Sequence, residues 1–116
     1  MAQPVVHFEI GSKDLGKICS FYSALFGWDV SEQSPFVVSA GKEDAIGGHI
    51  NCLGHEPHNY VTVYVQVDDL QASIDRAVSL GGREVVPPTE VPQMGRFAWI
   101  SDPEGNTIGL WKPKAS

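Results

Sequence analysis

The chain has 116 residues, of which 42% are hydrophobic and 19% are charged, and its formal net charge is −6. These values indicate one globular domain or two half-domains that share a core, and the eight scattered basic residues argue against a nucleic-acid surface. No apolar run approaches the ~20 residues of a membrane span, and the N-terminus lacks a signal-peptide pattern, so we expect a cytoplasmic protein without membrane association.

An internal repeat organises the chain. The stretch Val5–Val30, shifted by 55 residues, falls on Tyr60–Val85, and the shift places Asp14 on Asp69. Both copies have the pattern of a strand, a capped amphipathic helix and a glycine stop. A repeat over nearly the whole chain predicts two copies of one unit that face each other, with a functional cavity between them.

The first copy begins with a strand over Val5–Ile10, in which apolar and polar residues alternate. We expect its apolar face to cover a helix and its other face, with His7 and Glu9, to face a wet cavity. Asp14 then caps a helix that Gly27 ends in a left-handed conformation. The apolar stripe of this helix recurs at three- and four-residue steps and consists of Leu15, Ile18, Tyr22 and Leu25.

The rest of the first copy predicts two further strands. They cover Phe36–Ser39 and Ala45–Asn51, with a turn at Gly41–Asp44 between them. The glycine pair Gly47-Gly48 inside the second strand indicates a close approach of backbone or a bulge. Cys52–Asn59 contains glycine, proline and polar residues and is predicted to link the two copies.

The second copy opens with a strand whose two faces differ. The predicted core face consists of Val61, Val63, Val65 and Val67, and the opposite face of Thr62, Tyr64 and Gln66. Asp68 or Asp69 is expected to cap the following helix, and Gly81-Gly82 to end it. The pair Pro87-Pro88 predicts an extended loop before Met94, because proline cannot donate to a sheet ladder.

A hairpin is predicted to close the second copy. Its strands, Phe97–Ser101 and Thr107–Trp111, are joined by the turn sequence DPEGN. If the hairpin is symmetric, its core face consists of Ala98, Ile100, Ile108 and Leu110, and its other face of Phe97, Trp99, Thr107, Gly109 and Trp111. The expected fold class is α+β, with two tandem β-α-β-β-β units forming a curled mixed sheet around a central cavity and the helices on its convex side. We expect one domain over residues 1–116, with units at residues 4–52 and 60–113.

Several motifs in these elements resemble one known superfamily. HFEI followed by DL and FYSALFGW, the helix start VDDL and the closing GRFAWISDPEGNTIGLW are similar to the vicinal oxygen chelate superfamily. Its members include glyoxalase I, bleomycin-resistance proteins and extradiol dioxygenases, and the chain most resembles the small bacterial glyoxalase-like proteins. The resemblance spans about residues 4 to 113 and implies the paired-unit fold and a homodimer.

The resemblance also implies where a metal would bind. Metal-dependent members take two ligands from each unit, one on its first strand and one on its last. Carried over by position, these are His7 and His49 in the first unit and Thr62 and Gly109 in the second. Because glycine has no side chain and a threonine hydroxyl is a poor ligand for divalent metals, the chain departs from the metal pattern at two of the four positions.

Reasoning from residue chemistry leaves two alternatives for the first unit. If their strands are neighbours, His7, His49 and Glu9 could supply two imidazoles and a carboxylate to Zn, Ni, Fe or Mn. Alternatively, the same three side chains form a hydrogen-bonded network that lines the cavity, in which Glu9 and His7 could act as general base and acid on a bound ligand.

The polar face of the second unit is aromatic and predicts a small-molecule site. Its predicted ligand-binding residues, together with one from the first unit, are Tyr64, Phe97, Trp99, Trp111, Thr62, Gln66 and Asn51. Aromatic residues at strand spacing also occur in cores, but aliphatic residues already fill that role here. Arg96 is expected at the cavity mouth, where it would clamp a carboxylate or remain solvated at the rim.

The linker and the cysteines have weaker signals. His49, Cys52, His55 and His58 recur every three residues, which fits a zinc clip only if the segment folds to converge. The alternative is an exposed polar linker. Two cysteines are too few for a disulfide framework, and Cys19 is expected to pack in the core and not to act as a nucleophile.

Three classes of function remain open from the sequence. The chain could be a metal-free module that binds a small aromatic or carboxylate-bearing molecule. It could be a divalent-metal-dependent lyase, isomerase or dioxygenase that uses His7, His49 and Glu9. It could also be an accessory domain in which the dimer surface matters more than the cavity.

Overall fold

The structure is a computed structural model that describes residues 2–37, 41–53 and 57–115, and for Val37 the backbone alone. The described part divides into an N-terminal unit, Val6–Thr62, and a C-terminal unit, residues 63–115 together with residues 2–5. Its elements are β1 (Val5–Gly11), α1 (Leu15–Phe26), β2 (Phe36–Val37), β3 (Gly47–Asn51), β4 (Val61–Gln66), α2 (Leu70–Ser79), β5 (Arg83–Val91), β6 (Gly95–Ser101) and β7 (Thr107–Pro113). Neither helix of this part of the chain is long and apolar enough to span a membrane.

In the N-terminal unit, β3 lies between β1 and β2. It pairs with β1 in parallel and with β2 in antiparallel orientation. Asp14 caps α1, because its carboxylate accepts a hydrogen bond from the Lys17 amide at 3.0 Å, and Gly27 ends the helix at φ 74°. Both predicted helix ends are therefore confirmed. Residues 38–40, the rest of the predicted strand Phe36–Ser39, lie outside the described residues.

The core of the N-terminal unit lies between α1 and β1–β3. Its buried residues are Ile10, Cys19, Val30 and Ile50, with Phe8, Leu15, Ile18, Tyr22 and Trp28 packed against them. Gly48 is required by this packing, since a Cβ there would lie 2.5 Å from the ring of Phe8. The expected burial of Leu25 is wrong, because this side chain is 58% exposed and Cys19 takes the buried position on the helix.

In the C-terminal unit, the strands follow the order β4-β7-β6-β5. β4 and β7 are parallel, and the other two pairs are antiparallel. The core lies under α2 and consists of Val67, Leu70, Ile74, Ala98 and Leu110, with Val65 and Ile100 packed against it. Asp69 caps α2 through the Ala72 amide. This unit has the predicted β-α-β-β-β order, and the α+β fold class is confirmed.

Two predictions for the C-terminal unit fail. Val61 is 72% exposed, so the predicted core face of β4 does not include the first residue of the strand. Pro87 and Pro88 do not interrupt the chain as a loop, since β5 continues through them. The ladder passes from Val86 opposite Trp99 to Thr89 opposite Phe97, so the two prolines form an irregularity that needs no amide donor.

The closing hairpin forms as predicted. In the ladder of β6 and β7, Ala98 pairs with Leu110 and Trp99 with Gly109. The carboxylate of Asp102 fixes the turn, because it accepts hydrogen bonds from the amides of Glu104 and Asn106 and from the Asn106 side chain. These bonds lower the pKa of Asp102, the largest effect coming from the side chain of Asn106.

Candidate functional site

The polar faces of β1 and β3 meet in the N-terminal unit. In the parallel ladder, His7 lies opposite Gly47, Glu9 opposite His49, and Gly11 opposite Asn51. Because alternate residues of a strand share a face, His7, Glu9, His49 and Asn51 lie on the face opposite to the core residues Ile10 and Ile50. The two strands are neighbours, which the metal alternative from the sequence required.

The two histidines of this face are in direct contact. His7 Nε2 lies 2.6 Å from His49 Nδ1, and the ring centroids are 4.9 Å apart. A proton on one of these two nitrogens must therefore bridge them. The pKa of His7 is lowered from 6.5 to about 4, mostly by burial and also by the adjacent His49, while the charge of Glu9 acts against both. His7 is thus a neutral imidazole at physiological pH.

Glu9 is the buried end of this cluster. Its side chain is 2% exposed, and its Oε2 accepts hydrogen bonds from Asn51 Nδ2 at 3.1 Å and from the Tyr60 hydroxyl. The other oxygen, Oε1, lies 3.4 Å from His49 Nε2. A buried carboxylate is tolerated only when it is hydrogen-bonded, and Glu9 meets this condition with partners on β3 and at Tyr60.

Tyr60 is the member of the cluster that the sequence did not indicate. It lies just before β4, and its main-chain oxygen accepts a hydrogen bond from the Gly11 amide at 2.9 Å. Its ring covers Gly11, where a Cβ would lie 2.1 Å from the ring. Burial raises the pKa of Tyr60, and its hydrogen bond to Glu9 and the charge of Glu9 raise it further. The only sequence signal for this contact is the glycine at the end of β1.

A metal ion does not fit the three predicted donors as they are arranged. Two nitrogens bound tetrahedrally to one zinc ion lie roughly 3.3 Å apart, so the 2.6 Å between His7 and His49 leaves room for a proton only. His49 faces Glu9 with its other nitrogen, and one imidazole cannot direct both nitrogens at one ion. Within residues 2–37, 41–53 and 57–115, no group of three or more His, Cys, Asp or Glu side chains is arranged for a metal.

The equivalent positions of the C-terminal unit hold an aromatic pair. Tyr64 lies opposite Gly109 in the β4–β7 ladder, as Glu9 lies opposite His49 in the β1–β3 ladder. The Tyr64 ring covers Gly109, where a Cβ would lie 2.4 Å from two ring atoms. Its hydroxyl accepts a hydrogen bond from Trp99 Nε1 at 2.8 Å, and Trp99 is the other ladder partner of Gly109. The aromatic pair therefore lies over Gly109, one of the two positions at which the chain departs from the metal pattern that the resemblance implies.

The remaining predicted ligand-binding residues separate into two groups. Trp111 pairs with Phe97 and with Gln66, and all three lie on the face of Tyr64 and Trp99. Thr62 is buried on β4. Arg96 is exposed on β6 and pairs with Lys112 of β7, and its place at a cavity mouth stays a prediction.

The structure also tests the predictions for the linker and for the two cysteines. Cys52 is exposed, and its Sγ lies 3.5 Å from the main-chain oxygen of Lys13, while His55 lies outside the described residues. Cys19 is 1% exposed, and burial raises its pKa, as does the charge of Glu32, so its packing role is confirmed. It borders a groove of about 460 Å³ between α1 and residues 30–33, which includes none of the predicted site residues.

Comparison with known proteins places these observations in a family. The protein CFP32 of Mycobacterium tuberculosis, provisionally named a glyoxylase, is 33% identical over 100 residues, covering 81% of this chain and 38% of its own length. The anthracycline biosynthesis protein DnrV of Streptomyces peucetius is 29% identical over 124 residues, covering 90% of this chain and 45% of its own length. The chain thus spans less than half the length of these relatives.

A solved structure and a family model complete the comparison. Methylmalonyl-CoA epimerase from Mycobacterium tuberculosis superposes with a TM-score of 0.65 at 18% identity, over 96% of this chain and 88% of the epimerase, which shows a shared fold. The family model described as Glyoxalase/Bleomycin resistance protein/Dioxygenase superfamily matches residues 5–110. The chain belongs to the Glyoxalase/Bleomycin resistance protein/Dioxygenase superfamily.

Proposed function

We propose that this protein binds a small organic molecule without a metal ion, at the face formed by His7, Glu9 and His49. The observation that carries the proposal is the 2.6 Å contact between the two imidazoles. The imidazoles hydrogen-bond each other, and His49 also faces Glu9. The side chains that would coordinate a metal therefore interact with one another instead. Such a face offers a ligand fixed polar groups instead of a Lewis acid.

The C-terminal unit supports the same proposal. By the resemblance, a metal-dependent member takes one ligand from the position of Gly109, and the Tyr64 ring covers that position. The covering ring is fixed by the hydrogen bond from Trp99. The ligand contacts predicted at Tyr64, Phe97, Trp99 and Trp111 stay part of the proposal. They favour an aromatic ligand, because planar rings stack on aromatic side chains.

The relatives guide the choice of a first probe. The name of DnrV connects that relative with anthracycline biosynthesis, and the family description includes bleomycin-resistance proteins as well as enzymes. An anthracycline is therefore a suitable aromatic probe for this chain. Binding is measured by fluorescence titration and calorimetry of the wild type and of Trp99→Ala.

The alternative is a divalent-metal-dependent lyase, isomerase or dioxygenase that uses His7, His49 and Glu9. One observation favours it: the 3.4 Å between His49 Nε2 and Glu9 Oε1 is close to the roughly 3.4 Å that separates two ligand atoms of one metal ion. His7 would then have to leave His49 Nδ1 and turn towards the ion. That rearrangement replaces an existing hydrogen bond, so we rank this function second.

Metal analysis separates the two functions. Wild type, His49→Ala and the control His58→Asn are incubated with Zn, Ni, Fe or Mn, dialysed and analysed for bound metal. Metal-free binding predicts substoichiometric metal in all three proteins and affinity for an organic probe that His49→Ala weakens. Stoichiometric metal that is lost in His49→Ala and kept in His58→Asn would overturn the proposal and establish the alternative.

A homodimer, which the resemblance implies, is also part of the proposal. Three large apolar side chains on α1, Phe21, Leu25 and Phe26, are exposed in the single chain, and contiguous exposed apolar surface often marks an interaction site. Sedimentation velocity over a range of concentrations tests it. A wild-type protein that stays monomeric throughout the range would contradict the dimer, and Leu25→Ser is expected to weaken it.

A further inference from the structure

We infer that Tyr60 is the positioning residue of this face: its hydroxyl fixes the Glu9 carboxylate, Glu9 orients His49, and His49 orients His7. Tyr60 acts through Glu9 and is not assigned contact with a ligand. The inference deepens the proposed function by naming what holds the two imidazoles in one arrangement. Its main test concerns the imidazole protons and needs no ligand.

The first step is the division of labour between the two oxygens of Glu9. Tyr60 and Asn51 both donate to Oε2, which leaves Oε1 directed at His49 Nε2 at 3.4 Å. Without the Tyr60 hydroxyl, Oε2 would lose one of its donors, and the carboxylate could turn more easily about its last torsion angle, which has a broad energy minimum. Oε1 would then no longer have one fixed orientation towards His49.

The second step is the direction of the hydrogen bonds. An ionised carboxylate only accepts, so His49 Nε2 carries the proton that faces Glu9. In a neutral imidazole the other nitrogen then accepts, and His7 Nε2 must donate to His49 Nδ1 across 2.6 Å. The charge of Glu9 therefore sets the tautomer of both histidines. A protonated Glu9 that donated from Oε1 would reverse both bonds, which makes the direction measurable.

The third step is the way in which the chain holds Tyr60. The Gly11 amide donates to the Tyr60 main-chain oxygen at 2.9 Å, and the Tyr60 ring occupies the space that a side chain at Gly11 would need. Gly11 is the last residue of β1, the strand that carries Glu9. β1 thus carries the Glu9 carboxylate and also Gly11, on which the Tyr60 ring packs. This packing gives the Tyr60 hydroxyl a defined position next to Glu9.

Nitrogen-15 NMR of the histidine side chains tests the inference. At about pH 8, where neutral imidazoles are observed, two-bond nitrogen–proton correlations identify the protonated nitrogen of each ring. In the wild type we expect both His7 and His49 in the Nε2–H form. In Tyr60→Phe we expect His49 to become a mixture of tautomers, and the affinity for an organic probe to fall by about twofold for an equal mixture, because the apparent affinity scales with the fraction of molecules in the binding arrangement.

The controls separate positioning from stability. Tyr22→Phe also removes a phenolic hydroxyl from the N-terminal unit. Because the Tyr22 ring packs on Phe26 and Trp28, the tautomers of His7 and His49 should not change in this variant. A Tyr60 with a merely structural role would lower the melting temperature in Tyr60→Phe and leave the tautomers of the folded protein as in the wild type, which would overturn the inference. If Tyr60→Phe does not fold, the wild-type spectrum still decides: an Nδ1–H form of His49 contradicts the inferred direction. Metal binding by the wild type would contradict the proposed function and leave the tautomer result interpretable.

Discussion

Replacing Gly109 by alanine is expected to destabilise the protein, although alanine is normally the better residue in a strand. A Cβ at this position would lie 2.4 Å from Cδ2 and Cε2 of Tyr64, and Tyr64 is only 6% exposed, so its ring has little room to move. Overpacking of this kind and loss of the Trp99–Tyr64 hydrogen bond together cost about 2–4 kcal/mol. The free energy of unfolding is measured by urea denaturation followed by circular dichroism.

The same substitution in a Tyr64→Ala background isolates the physical cause. Gly109 does not have the positive φ of Gly105 and other glycines of the chain, so alanine fits its backbone. Without the ring, Gly109→Ala should be neutral or stabilise by about 0.4–1 kcal/mol, because it reduces the entropy of the unfolded chain. The effect should therefore change sign between the two backgrounds. An equal loss of stability in both would refute the contact between Tyr64 and Gly109 as the reason for the glycine.

Three further predictions concern single groups. Because the pKa of His7 falls from 6.5 to about 4 on folding, protonation of His7 favours the unfolded state. The stability that depends on a neutral His7 is present above pH 6.5 and is lost as the pH falls through about 4. In urea titrations over that range, the wild type should therefore lose more stability than His7→Gln. The buried hydroxyl of Ser12 has no hydrogen-bond partner within the described parts of the chain, so Ser12→Ala should leave thermal stability unchanged or raise the free energy of unfolding by up to about 1 kcal/mol; a clear loss would show that the hydroxyl is bonded. In the native protein a thiol reagent should modify Cys52 quickly and Cys19 only on unfolding, since Cys19 is buried with a raised pKa; two equally fast thiols would contradict this packing.

Local sequence patterns predicted most of the fold. Alternation identified β1 and β4, and the aspartates at positions 14 and 69 identified both helix starts, because an N-cap needs only a side-chain oxygen within three residues of a free amide. The turn sequence DPEGN predicted the closing hairpin for the same reason. All these signals act over a few residues, so they survive in any tertiary context that keeps the element.

The failed predictions have a common cause. Leu25 continues the helical stripe and Val61 continues the strand alternation, yet both are exposed, since burial depends on what packs against the end of an element. Pro87 and Pro88 were expected to lie in an extended loop before Met94, but β5 accommodates them at a register shift. Periodicity predicts the face on which a residue lies and does not predict how far the neighbouring element extends.

The candidate site shows the same limit most clearly. The sequence by itself determined that His7, Glu9 and His49 lie on polar faces and that Gly109 cannot donate to a metal. Only the tertiary structure decided that the imidazoles contact each other and that Glu9 accepts a hydrogen bond from a tyrosine 51 positions away. Hydrogen bonds between distant segments depend on strand register and on small residues such as Gly11, which let a ring approach the backbone, and a linear pattern does not show which ring makes that approach.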